Sequence, residues 1–327
     1  MGSDPWGVQE ADYPARGSLA DRLHFLVRYA LLAPSFRNAQ PWRFRVDDSR
    51  VSIYADLSRR PLAADLRQRD LYISLGCALE NLLLAAERFG FTHELDYFPL
   101  SEEDKLVAQI RFAAGAPAAA PGALFRAIVQ RRTHHGGYNR KPLGPTAMRR
   151  LNACCDEPGL SLLLTQDAPI KAAVERMVLQ ASEIAFRNPW YLREHAESRR
   201  DGALGAADPV SSLLNLALAH FGISDHIVKH DHRALLTSPA FGLITGRRGG
   251  RQAQVRAGRV LERLYLCATT LSLCIQPLSV LLESAEVAAP FARLFRAGGV
   301  PLLPFRLGYA ARPEKAVPRR PLEEVLD

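Results

Sequence analysis

Two long apolar helix patterns constrain the fold of this chain more than any other feature. The first spans residues 70–89 and stops at Gly90, a residue that commonly ends a helix. Its apolar stripe is wider than the single face that a surface helix shows, so we predict that this helix is buried. A second pattern, residues 256–279, mirrors it later in the chain. The sequence therefore predicts one long central helix in each of two parts.

Residues 113–122 mark the boundary between these parts. They are almost all Ala, Gly and Pro, which is typical of a linker. A chain of 327 residues is long enough for two domains or two fused halves. We predict a first half over residues 18–115 and a second half over residues 116–327. Residues 1–17 are polar with scattered Pro and Gly, and we predict a disordered or surface-draped lead-in.

Composition narrows the functional classes. The hydrophobic share of 48% suffices for an ordinary globular core, and no apolar run reaches the length of a membrane-spanning helix. Because residues 1–17 also lack an apolar signal core, we predict a cytoplasmic protein.

The five Cys include no Cys-x-x-Cys pair and are predicted to be buried thiols. His230 and His232 flank Asp231, but neighbours two apart on a helix do not face one another, so no metal site is predicted.

The net charge of +8 raises the alternative of a polyanion-binding protein. The positive residues are overwhelmingly Arg, and they are scattered along the chain rather than gathered into an arm or a recognition helix. We therefore expect weak, salt-sensitive adhesion to polyanions and no specific nucleic-acid partner.

A Pro-rich polar loop, residues 33–44, joins a helix pattern to a hairpin pattern. Pro34 and Pro41 stiffen it, and each restricts the preceding residue to extended conformations. Polar side chains between the two prolines offer hydrogen-bond donors and acceptors, on Ser35, Asn38 and Gln40. Such a loop can hold one planar polar ligand, although Pro-rich loops with Ser and Asn more often simply turn the chain.

Consecutive arginines precede a Gly-rich turn at the start of the second half. The planar fork of Arg suits a phosphate dianion, and Arg131 and Arg132 are candidates for such a site. The commoner meaning of an Arg pair is a solvated basic patch, and that alternative stays open here.

The loop resembles the Pro-Ser-Ser-x-Asn-x-Gln-Pro-Trp loop of the FMN-dependent nitroreductase family, and within it the long single-chain Acg-type oxidoreductases. In that family the loop contacts the flavin. The resemblance therefore implies FMN contacts from five residues, Pro34, Ser35, Phe36, Asn38 and Gln40. Phe36 stands where the family pattern has a second Ser.

Two further segments resemble the phosphate grip of the same family. Arg131, Arg132 and Thr133 match its Arg-Arg-Ser-x-Arg-x-Phe segment, with His135 where the family has Arg or Lys. The C-terminal tail is similar to the family's basic end, which returns to the phosphate. The resemblance assigns that contact to Arg319, with Arg320 as its neighbour.

The flavin ring has its own matching positions. Arg233 falls where the family often places a basic residue near flavin N1 and O2. A cation there would stabilise the negative charge of the reduced ring. A peptide N–H that faces flavin N5 is implied for the turn Pro277, Leu278 and Ser279.

The resemblance implies an α+β, nitroreductase-like fold with two fused halves. Each half would have a small, mostly antiparallel sheet packed by helices, with the long central helices at the interface. The loop occurs only in the first half and the Arg-Arg-Thr segment only in the second. We therefore predict one complete site, and one FMN, in a monomer that is a fused pseudo-dimer. Further homo-oligomer formation stays open, and residues 187–222 are predicted to form a lid over the flavin.

The implied function is an FMN-binding oxidoreductase. NADH or NADPH would supply a hydride through flavin N5 to a small aromatic or quinone-like acceptor, so the expected partners are small molecules and not membranes. No protein acid or base is obligatory for this chemistry, and no catalytic residue is named from sequence. The alternative is a flavin-binding or storage protein with an occluded site and no reductase turnover.

Overall fold

The computed structural model describes residues 4–100, 105–116, 122–198, 235, 237–310 and 314–327, and the backbone alone of residues 199–200. The helices in this part are α1 (Leu19–Ala30), α2 (Arg69–Arg88), α3 (Ala123–Ala127), α4 (Pro145–Asn152), α5 (Ala168–Phe186), α6 (Pro189–Arg200), α7 (Arg251–Thr270) and α8 (Ala285–Leu294). The strands are β1 (Trp42–Asp47), β2 (Arg50–Ala55), β3 (Phe91–Tyr97), β4 (Leu106–Ala114), β5 (Tyr138–Asn139), β6 (Leu160–Thr165), β7 (Ala240–Gly246), β8 (Cys274–Pro277) and β9 (Val300–Ala310).

The strands form two separate sheets. The first has the order β1-β2-β4-β3, and every neighbouring pair is antiparallel. The second has the order β5-β9-β7-β6, with β8 also paired to β9, and it is antiparallel as well. Helices pack these sheets, which confirms the predicted α+β fold class. The domain boundary over residues 113–122 stays a prediction, since residues 117–121 lie outside the described part.

The helices α2 and α7 cross in direct backbone contact. A Cβ atom on Gly76 would lie 2.0 Å from the carbonyl oxygen of Val255. A Cβ atom on Gly258 would lie 2.0 Å from the carbonyl oxygen of Ile73. Both helices have 20 residues, and in each the glycine is the eighth. Only glycine permits this approach, so α2 and α7 meet at a crossing with matched positions.

A second matched pair lies one turn further along each helix. Glu80 and Glu262 are each the twelfth residue, and both are buried. Glu80 accepts hydrogen bonds from Arg259 at 2.8 Å and from Arg263 at 2.6 Å. The positions of α2 that correspond to these two arginines are uncharged, Cys77 and Asn81. Glu262 therefore has no arginine partner on the facing helix.

The second central helix is shorter than the predicted span of residues 256–279. It covers Arg251–Thr270, and the chain then turns through Ser272, which has a left-handed φ of 56°. The next residues form β8, which pairs with β9. The apolar run continues across this break because both a buried helix and a buried strand need apolar side chains, so the pattern alone did not show where one ends.

Segments near both termini, at Trp6 and at Val325, lie against other parts of the described chain. The amide of Phe44 donates to the carbonyl of Val325 at 2.7 Å, so the C-terminal tail runs beside β1. Trp6 donates from its indole nitrogen to the carbonyl of Val317 at 2.8 Å. The N-terminal segment is thereby tied to the C-terminal tail. No helix within the described residues has both the length and the apolarity to span a bilayer.

Replacing Gly258 by Ala is expected to lower the free energy of unfolding by about 3 kcal/mol, because the added methyl group forces the backbones of α2 and α7 apart. Gly298→Ala is the matched control, since a Cβ at that position meets nothing within 4 Å. The control should stay within about 0.5 kcal/mol of wild type in urea unfolding. Equal effects of the two substitutions would show that the crossing tolerates a side chain.

Candidate functional site

A single large cleft collects most of the residues singled out in the sequence. The cleft has a volume of about 250 Å³. The loop at residues 33–44, the arginine segment, the Pro-Leu-Ser turn and the C-terminal tail all contribute to its wall. The predicted residues that line it are Pro34, Ser35, Phe36, Asn38, Arg131, Arg132, Thr133, His135, Pro277, Leu278, Ser279 and Arg319.

The loop of residues 33–44 holds a backbone conformation that residues other than glycine rarely adopt. Arg37, Asn38 and Gln40 have φ values of 51°, 54° and 50°, all in the left-handed region. The prediction that Pro41 holds the preceding residue, Gln40, in an extended conformation is therefore wrong. Such strain persists only where the surroundings enforce it, and it concentrates at functional sites. The Oγ of Ser35 accepts from the Gln40 amide at 2.9 Å, and Oδ1 of Asn38 accepts from Arg319 at 2.8 Å. The tail thus fixes the loop in place.

Three arginines converge at one end of the cleft. Arg131 and Arg319 are only 2% and 8% exposed, and each donates from Nη2 to the carbonyl of Leu32 at 3.3 Å. The guanidinium of Arg132 lies 4.1 Å from the centre of the Trp6 ring, and that of Arg319 lies 4.9 Å from it. The C-terminal tail, the N-terminal segment and the start of the second half therefore place three cations together.

The charge of these arginines is only partly balanced. Glu262 is fully buried, and its Oε1 lies 3.8 Å from Nε of Arg131. The Asn81 side chain also acts on Glu262 and lowers its pKa, whereas the Nε atoms of Arg131 and Arg319 have no hydrogen-bond partner within the described part. Burial raises the pKa of Glu262 to about 7 against the opposing effect of Arg131. Arg131 and Arg319 act on Glu262, and Arg132 has Asp4 as its nearby carboxyl. Three guanidinium groups beside these two carboxyls leave an excess of positive charge that suits an anion.

The same burial acts on the arginines. Desolvation, together with the neighbouring charge of Arg131, lowers the pKa of Arg319 well below its ordinary value. Desolvation and Arg131 also lower the pKa of Arg132. An anion placed among the three side chains would relieve both effects, because it supplies the opposite charge that a buried cation lacks.

Two predicted residues do not line the cleft, and one cannot be placed. Oε1 of Gln40 accepts from the amide of Arg320 at 2.8 Å, and Arg320 donates to the carbonyls of Gln40 at 3.3 Å and Glu324 at 2.7 Å. Gln40 and Arg320 therefore fasten the loop to the tail behind the cleft wall. Arg233 lies outside the described residues.

The backbone amides of Leu278 and Ser279, in the turn that follows Pro277, differ in whether they are already hydrogen-bonded within the protein. The Leu278 amide donates to the carbonyl of Pro304 at 2.8 Å and is committed to that bond. Ser279 begins a short 3₁₀ turn, Ser279–Leu282, and the first amides of such a turn have no acceptor within it. The Oγ of Ser279 donates to Asp70 at 2.8 Å and anchors the turn to α2. The amide that can face a ligand is therefore that of Ser279 rather than Leu278.

Hydrogen bonding fixes the ring of His135. Arg306, only 1% exposed, donates from Nε to Oε1 of Gln276 at 2.6 Å. The amide nitrogen of Gln276 then faces Nδ1 of His135 at 3.1 Å and must donate to it. A neutral His135 consequently carries its proton on Nε2.

The other end of the cleft is lined by Tyr191 and His195 of α6 and by the carboxyl groups of Asp70 and Glu283. Glu194 of α6 accepts from the amides of Ala63 at 2.8 Å and Ala64 at 3.2 Å, and from Nη1 of Arg37 at 3.3 Å. Arg37 also lies 4.5 Å from the centre of the Tyr191 ring. Glu194 thereby holds α6 against the segment that contains Arg37, Ala63 and Ala64.

Of the predicted lid, residues 201–222 lie outside the described part, and the lid stays a prediction.

Sequence reasoning missed several residues that line the cleft. They are Trp6, Arg37, Asp70, Tyr191, His195 and Glu283. Trp6 had no signal, because it lies in a segment that reads as a lead-in. Tyr191 and His195 had a sequence signal, because residues four apart on a helix share a face.

Comparison with known proteins supports the family resemblance. No family model matches the chain. "Putative NAD(P)H nitroreductase Rv3131" of Mycobacterium tuberculosis is 29% identical over 327 residues, which is 94% of this chain and 92% of the relative. "Putative NAD(P)H nitroreductase acg" of the same organism is 25% identical over 324 residues, which is 93% of this chain and 95% of the relative. The sequence resemblance to Acg-type nitroreductases is thereby confirmed.

Solved structures of nitroreductases are similar over a smaller share of the chain. The FMN-dependent nitroreductase NfnB from Mycobacterium smegmatis, in complex with NADPH, shares 16% identity. It covers 62% of this chain and 96% of its own, with a TM-score of 0.39. A nitroreductase with bound FMN from Desulfitobacterium hafniense shares 12% identity over 62% of this chain and 96% of its own, with a TM-score of 0.41.

Replacing Glu262 by Gln should change how stability depends on pH. The folded-state pKa of Glu262, about 7, is raised above the unfolded value near 4.3, so the folded protein binds more protons between these values. The stability that this group contributes is complete below about pH 4 and is lost as the pH rises to about 7. Between about pH 5 and pH 8 the variant should therefore gain about 2 kcal/mol relative to wild type.

Urea unfolding at the two pH values measures this difference. Glu323→Gln, at an exposed position, is the control and should follow wild type at both. A difference between Glu262→Gln and wild type that does not change with pH would contradict the expected titration.

Proposed function

We propose that this protein is an FMN-dependent oxidoreductase that uses NADH or NADPH to reduce a small aromatic or quinone-like acceptor. The observation that carries the proposal is that the loop of residues 33–44 and three arginines from distant parts of the chain line one cleft. Two relatives of similar length carry the name "Putative NAD(P)H nitroreductase", which agrees with it. The partners in this proposal are small molecules, with no specific nucleic acid, and the location is cytoplasmic.

The arginine end of the cleft fits the phosphate of FMN. Arg131, Arg132 and Arg319 bring forked donors to the wall of one cleft, and the buried Nε atoms of Arg131 and Arg319 have no hydrogen-bond partner in the described part. A phosphate dianion accepts several such charge-assisted hydrogen bonds at once. Trp6 packs against two of these guanidinium groups and shields them from water, which strengthens their attraction for an anion.

The middle of the cleft fits a planar ring with polar edges. In this proposal the loop presents Ser35 and Asn38 at one side, and the turn presents the Ser279 amide toward flavin N5. His135 would donate from Nε2, because its Nδ1 is already engaged by Gln276. FMN supplies the hydride-accepting atom when it is bound, while the protein residues bind the ring, orient it and limit the access of water.

A flavin-storage protein is the second candidate, and α6 favours it. Glu194 holds this helix against the first half by three hydrogen bonds, so one side of the cleft is covered. A cover that excludes the nicotinamide ring would leave bound FMN without a reductant. NADPH added without oxygen separates the two candidates, because it bleaches the visible flavin absorbance only if hydride transfer occurs.

Replacing Arg132 by Ala is expected to weaken FMN binding about 10-fold to 100-fold, because a charge-assisted hydrogen bond contributes about 1.5 to 3 kcal/mol. Binding of riboflavin, which has no phosphate, should be nearly unchanged. Quenching of flavin fluorescence measures both affinities. Arg126→Ala, at an exposed position of α3, is the control and should bind FMN as wild type does. Equal losses for FMN and riboflavin would place Arg132 away from the phosphate and overturn this arrangement.

A further inference from the structure

We propose that Glu283 is the proton donor for the acceptor in the oxidoreductase reaction, an inference that rests on the function proposed above. Glu283 directly follows the turn Ser279–Leu282 and lines the cleft together with Pro277 and Leu278. The same chain segment would therefore present the amide that faces the flavin and the carboxyl that faces the acceptor.

Asp70 and Glu283 line this end of the cleft, while Asp65 and Glu194 are hydrogen-bonded to the lining residues Asp70 and Arg37. Asp65, Asp70 and Glu194 each accept hydrogen bonds within the protein. Asp65 accepts from the amides of Asp70 at 3.2 Å and Leu71 at 2.8 Å. Asp70 accepts from Ser279 at 2.8 Å and from Arg69 at 2.6 Å. The third, Glu194, accepts from two amides and from Arg37, as described above.

Glu283 differs from these three. Its Oε1 is buried and has no hydrogen-bond partner in the described part of the chain. Leaving a buried polar atom unpaired costs about 1 to 3 kcal/mol, so such an atom at the wall of a cleft indicates a group reserved for a ligand. The acceptor molecule is the ligand that would reach this wall.

The surroundings keep a proton on Glu283 near neutral pH. Burial raises the pKa of Glu283 to about 8, and the carboxylates of Asp70 and Asp65 act in the same direction. The guanidinium groups of Arg37 and Arg69 lower the pKa but do not outweigh burial. The charged groups facing Glu283 come from the loop and from the start of α2, while α6 adds the Tyr191 hydroxyl and His195 to the same cleft.

The proposed step balances for a quinone. NADH or NADPH is the reductant, and the hydride that it supplies carries two electrons and one hydrogen to the quinone. The second hydrogen arrives as a proton: the O–H bond of the Glu283 carboxyl breaks, and an O–H bond forms on the quinone oxygen. Water then returns a proton to the Glu283 carboxylate. The product is a hydroquinone, and no other oxidant or reductant is needed.

The test compares an electron acceptor that also needs a proton with one that does not. FMN-loaded wild type and Glu283→Gln are reduced with dithionite without oxygen and mixed with benzoquinone or with ferricyanide. Ferricyanide takes up electrons but no proton, so it reports on electron transfer alone. Gln can donate a hydrogen bond but cannot give up a proton at neutral pH. The variant should therefore reoxidise about 100-fold more slowly with benzoquinone and at the wild-type rate with ferricyanide.

The pH profile adds an independent readout. The benzoquinone rate of wild type should fall as the pH rises through about 8, because the donor loses its proton, and the variant should lack this fall. Glu286→Gln, an exposed neighbour on α8, should behave as wild type in both respects.

Three outcomes would overturn the inference. Equal benzoquinone rates for wild type and Glu283→Gln would remove the role of Glu283 while leaving the proposed function intact. Equal slowing with both acceptors would show a disturbed flavin rather than a missing proton. Wild-type protein that takes up no FMN would overturn the proposed function itself and this inference with it.

Discussion

The backbone contact between Gly76 and Gly258 is the constraint on which the rest of the structure depends. It brings α2 and α7 together at matched positions, so that elements from both halves of the chain reach one cleft. The loop before β1 comes from one side of this crossing and the Arg131 segment from the other. If α2 and α7 lay further apart, Asn38 and Arg132 would be separated and could not both contact one ligand.

Glu80 of α2 and Glu262 of α7 occupy matched positions, but the charged groups around them differ. This difference explains why a ligand site lies beside Glu262 and not beside Glu80. Beside Glu80, the space is filled by Arg259, Arg263 and Glu157, with Glu157 2.8 Å from Arg259. Beside Glu262, the facing helix supplies no arginine, and the nearest cation is Arg131 at the cleft wall. An ion network closes one side, whereas the other side keeps its positive charge for a ligand.

Much of the site was predictable because it rests on local sequence. The Pro-rich loop and the Arg131–Arg132 pair follow from short patterns of residue type, and both line the cleft. Gln40 and Arg320 show the limit of such patterns. Their partners are backbone groups some 280 residues away in the chain, and no local spacing records that contact. Glu283 was missed for a related reason, since its character comes from burial beside Asp70 and not from its neighbours in sequence.

The number of FMN molecules that each chain binds tests the central claim most directly. Titration of the purified protein with FMN, followed by calorimetry and by the flavin absorbance retained after gel filtration, measures this number. We expect saturation at one FMN per chain, because among the described residues it is the side of the crossing beside Glu262 that keeps unbalanced arginines. Saturation at two FMN per chain, or no binding, would contradict it.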